Sequence, residues 1–207
     1  LGFNVLLCDP PRAAAEGDEK FCSLEYLLAN SQIVTMHVPL DDTTRKMADE
    51  EFFMLMPPGA IFINAARGEI VDDEALMRAI PKLGAVVIDT WNHEPRINLD
   101  LMEMVDIATP HIAGYSYQGK QNGTAYAVQS VARHFGIEDL YDYYPEADIP
   151  DHDPVQLDLK DKTHGEKAAV FQYNYPIFTD DFRLRMNPEG FEKLRAQYQY
   201  RREIYVE

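Results

Sequence analysis

Cysteine is scarce in this chain of 207 residues. Cys8 and Cys22 are too few for a disulfide framework or a four-cysteine metal site, so we expect two ordinary thiols and no metal. Basic residues are also scarce, because 19 Lys and Arg are opposed by 35 Asp and Glu, which gives a net charge of −16. Such a chain repels phosphate backbones and anionic lipids, so we expect neither nucleic acid nor a membrane as a partner.

Long apolar runs and targeting patterns are missing as well. No apolar run approaches the roughly 20 residues that cross a bilayer, and the amino terminus lacks the pattern of a secretory signal, so we expect a cytoplasmic location. A Gly-x-Gly-x-x-Gly turn, the usual pyrophosphate-binding sequence of dinucleotide folds, does not occur. The chain begins at Leu1, almost directly on an apolar segment, which indicates a cut chain.

The first 110 residues contain several short apolar segments. They are continuous and not alternating, which is typical of strands buried on both faces of a parallel sheet. Helix-length segments lie between them, and Ser23 and Asp49 are candidate helix N-caps. We therefore predict an α/β fold with a partial, doubly wound, Rossmann-type parallel sheet that lacks its first strand and its glycine-rich turn. The predicted strands are residues 3–9, 33–39, 60–66, 85–90 and 105–110.

The second half of the chain has a different pattern. Apolar residues at three- and four-residue steps predict a long helix over 116–140, ended by Gly136, and residues 141–154 are typical of a linker. Residues 155–207 contain strand-like segments at 155–159 and 168–174, followed by a helix over 188–203 that Asn187 caps. We predict a small α+β domain here, and its marginal core indicates that it packs on something else, most simply a second subunit.

Polar residues follow the ends of the predicted strands. Because ligands of doubly wound sheets bind beyond the carboxyl ends of the strands, we expect these residues to converge on one edge. They are Asp9, His37, Val38, residues 65–68 with Arg67, Asp89, Glu94, His111 and Gly114.

Four of these residues suit the oxidation of a hydroxy acid by a dinucleotide. A carboxylate at Asp9 accepts hydrogen bonds from ribose hydroxyls and disfavours a 2′-phosphate, which favours NAD over NADP. The guanidinium fork of Arg67 suits a substrate carboxylate. His111 can take a proton from a hydroxyl while hydride leaves the same carbon, and Glu94 can orient that imidazole.

Each assignment has a simpler alternative. A strand-end acid can face solvent, Arg67 can form a surface ion pair, and a single histidine is more often structural. His37 and His93 compete with His111 for the role of base, although His37 is expected to point toward the flank of the sheet and His93 lacks a glycine turn.

Three segments carry the catalytic candidates: "INAARGEIVDDEAL" (63–76), "VIDTWNHEP" (87–95) and "TPHIAGYS" (109–116). They resemble the signature blocks of the D-isomer-specific 2-hydroxyacid dehydrogenases. The resemblance implies an NAD-binding domain over 1–115 and a catalytic set of Arg67, Glu94 and His111.

The same resemblance implies further contacts. Asp9 is expected to bind the adenosine ribose, Asp89 the nicotinamide carboxamide and Tyr115 the substrate, with Gly114 letting the main chain approach the cofactor. The NAD groove is expected to be lined by Val38, Ala65, Ala66 and Arg67. Val38 stands where relatives often carry a hydroxyl, so only its main chain can contribute.

Within the family, "CDPPRA" (8–13), "HIAGY" (111–115) and the tail resemble members that act on a small phosphorylated hydroxy acid and dimerise through the carboxyl-terminal domain, 155–207. A homodimer is therefore expected. Other D-2-hydroxy acids, such as a glycerate or a lactate, and a non-catalytic NAD-sensing role remain alternatives. These 207 residues alone are expected not to turn over substrate, because the turn that binds the pyrophosphate does not occur in them.

Overall fold

A computed structural model describes residues 3–146 and 158–203 of the chain. Its centre is a four-stranded parallel sheet in the order β1-β2-β3-β4. The register pairs Ile33 with Ile61 and Ile61 with Ala85. The strands are β1 (Ile33–Met36), β2 (Ile61–Asn64), β3 (Ala85–Ile88) and β4 (Ile107–Ala108). The predicted α/β fold with a parallel sheet is confirmed, and the carboxyl ends of these strands lie along one edge.

Helices connect the strands and cover the sheet. Ser23 and Asp49 accept hydrogen bonds from the N–H groups of Tyr26 and Phe52, which confirms both predicted N-caps. The helices of the first part are α1 (Pro10–Glu16), α2 (Leu24–Asn30), α3 (Glu50–Leu55), α4 (Asp73–Ala79), α5 (Leu99–Met104) and α6 (Tyr117–Phe135).

The core lies between the sheet and these helices. Phe62 of β2 is fully buried and meets Phe52 and Phe53 of α3 edge to face, with ring centroids 5.9 and 5.1 Å apart. Val86 and Ile88 of β3 are also buried. This packing fixes the sheet, and therefore the loops that leave its carboxyl edge.

The prediction of a strand over 3–9 is wrong in the structure. The segment has no strand pairing, and its contact with the body includes a bond from the N–H of Cys22 to the carbonyl of Leu7, at 2.8 Å. Phe3 and Val5 are 66% and 73% exposed. A strand needs a neighbour to bond with, and no strand of the described part pairs with this segment.

The carboxyl-terminal part is helical where the structure describes it, with α7 (His164–Asn174), α8 (Ile177–Met186) and α9 (Phe191–Ala196). The predicted strand over 168–174 is wrong, because a capping box of Thr163 and Glu166 starts a helix that includes it. Of the strand predicted over 155–159, residues 155–157 lie outside the described residues, and 158–159 form no strand. The helix predicted over 188–203 is also shorter: Pro188 opens a 3-10 turn, and α9 ends at Ala196.

Helix α8 docks directly on the edge of the sheet. The Asp181 carboxylate accepts the N–H of Ala108 in β4 at 2.7 Å, and Arg185 donates to the carbonyls of Met102 and Val105 at 2.6 and 2.8 Å. Leu184 is fully buried in the same core cluster as the sheet. Part of 155–207 thus shares the core of the first part, while its role as a dimerisation domain stays a prediction.

Helix α6 confirms the long helix predicted after residue 115. Ser116 caps it, and Gly136 ends it with φ 68°, in the left-handed region that glycine adopts without strain. Its apolar face is only partly covered, because Ala125 and Ala132 are buried while Val131 and Phe135 are 55% and 71% exposed. None of the helices in the described part is long and apolar enough to cross a membrane. The predicted linker over 141–154 falls partly outside the described residues.

Candidate active site

The turn after β2 carries Arg67. The side chain of Asn64, at the end of β2, holds this turn by donating to the carbonyl of Arg67 at 3.0 Å and accepting the N–H of Ala66 at 3.1 Å. Arg67 itself is exposed and donates to the carbonyl of Ala66 at 2.6 Å. Gly68 is buried against the main chain of Trp91, so close that a β-carbon at this position would lie 1.9 Å from the Trp91 carbonyl carbon. The Arg67 turn is thereby fixed against the loop after β3.

The loop after β3 carries Glu94, which contacts His111. Nδ1 of His111 lies 2.8 Å from Oε2 of Glu94, and Oε1 of Glu94 accepts the N–H of Trp91, also at 2.8 Å. Burial raises the pKa of Glu94, but the hydrogen bonds from His111 and Trp91 outweigh it, so the net pKa is lowered. Because an ionised carboxylate only accepts, Nδ1 of His111 carries the proton of this bond. The predicted contact between Glu94 and the imidazole is present.

A buried carboxylate, Asp89, holds the turn that presents His111. It accepts the hydroxyl of Thr109 at 2.7 Å, the N–H of Ile112 at 2.7 Å and the N–H of Ala113 at 3.0 Å. His111 has φ 55°, in the left-handed region, and its N–H bonds to the carbonyl of Asp89 at 2.8 Å. Burial raises the pKa of Asp89. The family resemblance implies only a contact of Asp89 with nicotinamide, and no sequence signal indicates that Asp89 also anchors this turn.

Of the residues expected to face the cofactor, three follow β1 and β2, and Asp9 lies at the start of α1. Asp9 caps α1 by accepting the N–H of Arg12 at 3.0 Å and is partly exposed. Val38, after β1, is partly buried against the core; after β2, Ala65 is partly buried and Ala66 is buried. Their contacts with a cofactor stay predictions.

Gly114 and Tyr115 follow the His111 turn. Gly114 is exposed, and a β-carbon there would meet nothing within 4 Å. Tyr115 packs its ring edge-on against Tyr198 and Tyr200, with centroids 6.0 and 5.7 Å apart, and Nζ of Lys120 lies 3.7 Å from its ring centroid. The predicted substrate residue therefore lies against the carboxyl-terminal segment.

The competing histidines are placed differently. Nε2 of His37 lies 3.0 Å from the hydroxyl of Thr35, and the side chain is exposed. His93 is exposed too and has φ 60°. Of the three candidates for the base, His111 is the one paired with Glu94. Within 3–146 and 158–203, no cluster of three metal-binding side chains occurs.

Fold and site together define an α/β domain of the dinucleotide-binding type, with arginine, glutamate and histidine following neighbouring strands. The model of the family described as "D-isomer specific 2-hydroxyacid dehydrogenase, NAD binding domain" matches residues 1–113. The chain therefore belongs to the D-isomer-specific 2-hydroxyacid dehydrogenase family. The prediction of NAD as the cofactor is confirmed, because the matching family model describes an NAD-binding domain.

Individual relatives are similar over most of the chain. Erythronate-4-phosphate dehydrogenases of Yersinia pestis (strain Pestoides F) and Yersinia pseudotuberculosis (strain IP 31758) are each 38% identical over 212 residues, covering 98% of this chain and 56% of the relative. The solved D-lactate dehydrogenase of Aquifex aeolicus, complexed with NAD and lactic acid, is 30% identical with a TM-score of 0.50, covering 63% of this chain and 47% of that one. The chain spans about half the length of these relatives.

Proposed function

We propose that the protein carrying this chain is an NAD-dependent dehydrogenase that oxidises 4-phospho-D-erythronate to the 2-oxo acid. The observation that carries the proposal is the contact of 2.8 Å between His111 and Glu94, next to the turn that presents Arg67. A base with a carboxylate behind it, and an exposed guanidinium on the turn that packs against the loop of Glu94, suit removal of a hydroxyl proton from a carboxylic acid substrate.

His111 is the residue that accepts the proton of the substrate hydroxyl. With Nδ1–H donated to Glu94, the lone pair of Nε2 is available to take the proton of the C2 hydroxyl. The imidazolium that results faces the ionised Glu94, which stabilises the added charge. Trp91 and Glu94 together fix the orientation of the ring, so little has to reorganise during the transfer.

Arg67 binds the substrate carboxylate. Its guanidinium has five donors, of which the bond to the Ala66 carbonyl uses one. The remaining donors suit a bidentate contact with a carboxylate, which orients C2 for loss of hydride.

The residues of the chain fit NAD in part. The partly exposed carboxylate of Asp9 suits ribose hydroxyls, and Arg12 is paired with Glu16 at 2.7 Å. Bound NAD would supply the acceptor for the hydride that leaves C2. The glycine-rich turn that binds a pyrophosphate does not occur in these 207 residues.

The substrate assignment is supported by the named relatives, which share 38% identity over 98% of the chain. A role in the synthesis of pyridoxal phosphate, in the cytoplasm, is part of the same proposal. A homodimer belongs to the same proposal: Phe178, Phe182 and Met186 form an apolar stripe on α8, 59%, 61% and 68% exposed, which suits packing on a second copy.

A second candidate is a dehydrogenase of an unphosphorylated hydroxy acid, which the similarity to the D-lactate dehydrogenase favours. Rates of NAD reduction with phosphorylated and unphosphorylated D-2-hydroxy acids separate the two. Equal rates with both would refute the assignment to 4-phospho-D-erythronate.

The chemistry is tested by His111→Asn in the complete protein. Asparagine tolerates the left-handed conformation of this position, so the change removes the base with little strain. We expect kcat to fall by about 10²–10⁴-fold with NAD affinity unchanged. His93→Asn, an exposed histidine at φ 60°, is the matched control and should retain full activity. Turnover that survives His111→Asn would refute the role of His111 as the base, whereas a wild-type protein that binds NAD but oxidises no hydroxy acid would favour an NAD-sensing regulator.

A further inference from the structure

The carboxyl-terminal segment holds the turn that follows His111. This turn, residues 112–115, is closed by a bond of 2.8 Å from the N–H of Tyr115 to the carbonyl of Ile112. The hydroxyl of Tyr175 donates to the same carbonyl at 3.4 Å. On the other side, the N–H of Arg201 bonds to the carbonyl of Tyr115 at 3.3 Å, and the N–H of Tyr117 to the carbonyl of Arg201 at 2.9 Å.

A partly buried polar network supports these contacts. The Tyr198 hydroxyl donates to the Asp180 carboxylate at 3.0 Å and accepts from Nε of Arg201 at 3.2 Å. Nη2 of Arg201 lies 3.8 Å from Asp180, whose side chain is 2% exposed. We call Tyr175, Asp180, Tyr198 and Arg201 the clamp.

Stability alone is a weak reason for the clamp. Burying a carboxylate costs several kcal/mol of desolvation, and well-packed apolar side chains of similar volume are often as stabilising. Burial indeed raises the pKa of Asp180, although Tyr198 and Arg201 act in the opposite direction. A hydrogen-bonded network differs from apolar packing in that it fixes directions, and this one is built against the turn that presents His111.

The clamp acts within one residue of the proposed base. Ile112 bonds to Asp89 through its N–H and to Tyr115 and Tyr175 through its carbonyl, so its peptide groups are held on both sides. Tyr198 adds an edge-on contact with the ring of Tyr115. A displacement of about 1 Å at a reacting group is enough to cost about 10²-fold in rate.

We infer that Tyr198 is a positioning residue: with Asp180 and Tyr175, it sets the geometry of the His111 turn without touching the substrate. The inference rests on the proposed function for its kinetic consequence. Tyr198 and Asp180 lie 87 and 69 positions beyond His111 in the chain. No local sequence pattern connects residues that far apart to the base.

The test is Tyr198→Phe in the complete protein. The change keeps the ring against Tyr115 and removes the hydroxyl that joins Asp180 to Arg201. We expect kcat to fall by about 10-fold, with the KM for NAD unchanged, because alignment is lost and not cofactor binding. Asp180→Asn should lose a similar factor, and the double variant should lose little more, because both changes break one network. Tyr173→Phe, at a tyrosine that is 88% exposed, is the matched control.

A second readout does not depend on turnover. The NMR signal of the His111 Nδ1 proton should shift in Tyr198→Phe and stay in place in Tyr173→Phe. If Tyr198→Phe lowers only the melting temperature and leaves kcat and this signal unchanged, the clamp is purely structural and the inference is wrong. If the wild-type protein oxidises no hydroxy acid, the proposed function fails, and the NMR comparison alone decides the positioning role.

Discussion

Gly68 is the position where a single methyl group would disturb the site most directly. A β-carbon there would lie 1.9 Å from the carbonyl carbon of Trp91, 2.1 Å from its oxygen and 2.3 Å from the nitrogen of Asn92. All three atoms belong to the main chain, so no side chain can rotate away. In Gly68→Ala the two loops must separate by about 1–2 Å to reach ordinary contact distances of about 3.5 Å.

This separation should affect both stability and catalysis. Overpacking of a buried site costs about 1–3 kcal/mol, which for a chain of this size lowers the melting temperature by about 2–12 °C. Because Arg67 precedes Gly68 and Glu94 bonds to Trp91, the same shift displaces the guanidinium relative to Glu94 and the proposed base. A misplacement of about 1 Å should lower kcat/KM by about 10²-fold.

The assay compares thermal unfolding and NAD reduction in the complete protein. Gly123→Ala in α6 is the control, since a β-carbon there meets nothing within 4 Å and alanine favours a helix over glycine by about 1 kcal/mol. Gly123→Ala should be as active as the wild type and no less stable. Wild-type stability and activity in Gly68→Ala would refute the close approach of the two loops.

Two further predictions concern Glu94 and Asp181. Because the folded-state pKa of Glu94 lies below its usual 4.5, its carboxylate stabilises the fold above the unfolded pKa, and this contribution is lost as the pH falls through the folded value. Glu94→Gln should therefore show a weaker pH dependence of the unfolding free energy in urea below about pH 4.5; equal slopes would contradict the lowered pKa of Glu94. Asp181→Ala leaves the buried N–H of Ala108 without its acceptor and should cost about 1–3 kcal/mol in the same assay, with Asp181→Asn costing less because it keeps an acceptor oxygen. Equal losses from the two Asp181 variants would show that this bond contributes little.

The sheet could be predicted because its strands are buried on both faces. Each strand from β1 to β4 lies inside a continuous apolar segment that the sequence displays. Residues 3–9 have the same composition and form no strand, since pairing depends on a neighbour that composition does not reveal. The error at 168–174 has a local cause: the capping box of Thr163 and Glu166, just upstream of the segment, signals a helix.

The site, too, could be predicted only in part. Glu94 and His111 could be matched because they follow strands that come consecutively in the chain and pair in the sheet. The clamp could not be predicted from the sequence, because Tyr198 and Asp180 reach the His111 turn only through the packing of α8 and α9 on the sheet. No spacing or periodicity encodes contacts over such separations.

Asp89 and Glu94 follow the same strand, β3, but their carboxylates have different hydrogen-bond partners and therefore different roles. Asp89 is buried and accepts two main-chain N–H groups and a hydroxyl, so its oxygens fix the backbone that carries His111. Glu94 is less buried and accepts one main-chain N–H, which leaves its second oxygen for the imidazole. Burial raises the pKa of Asp89, whereas hydrogen bonds lower that of Glu94. The carboxylate whose charge is favoured is the one that faces the proposed base, and this is the arrangement that stabilises an imidazolium.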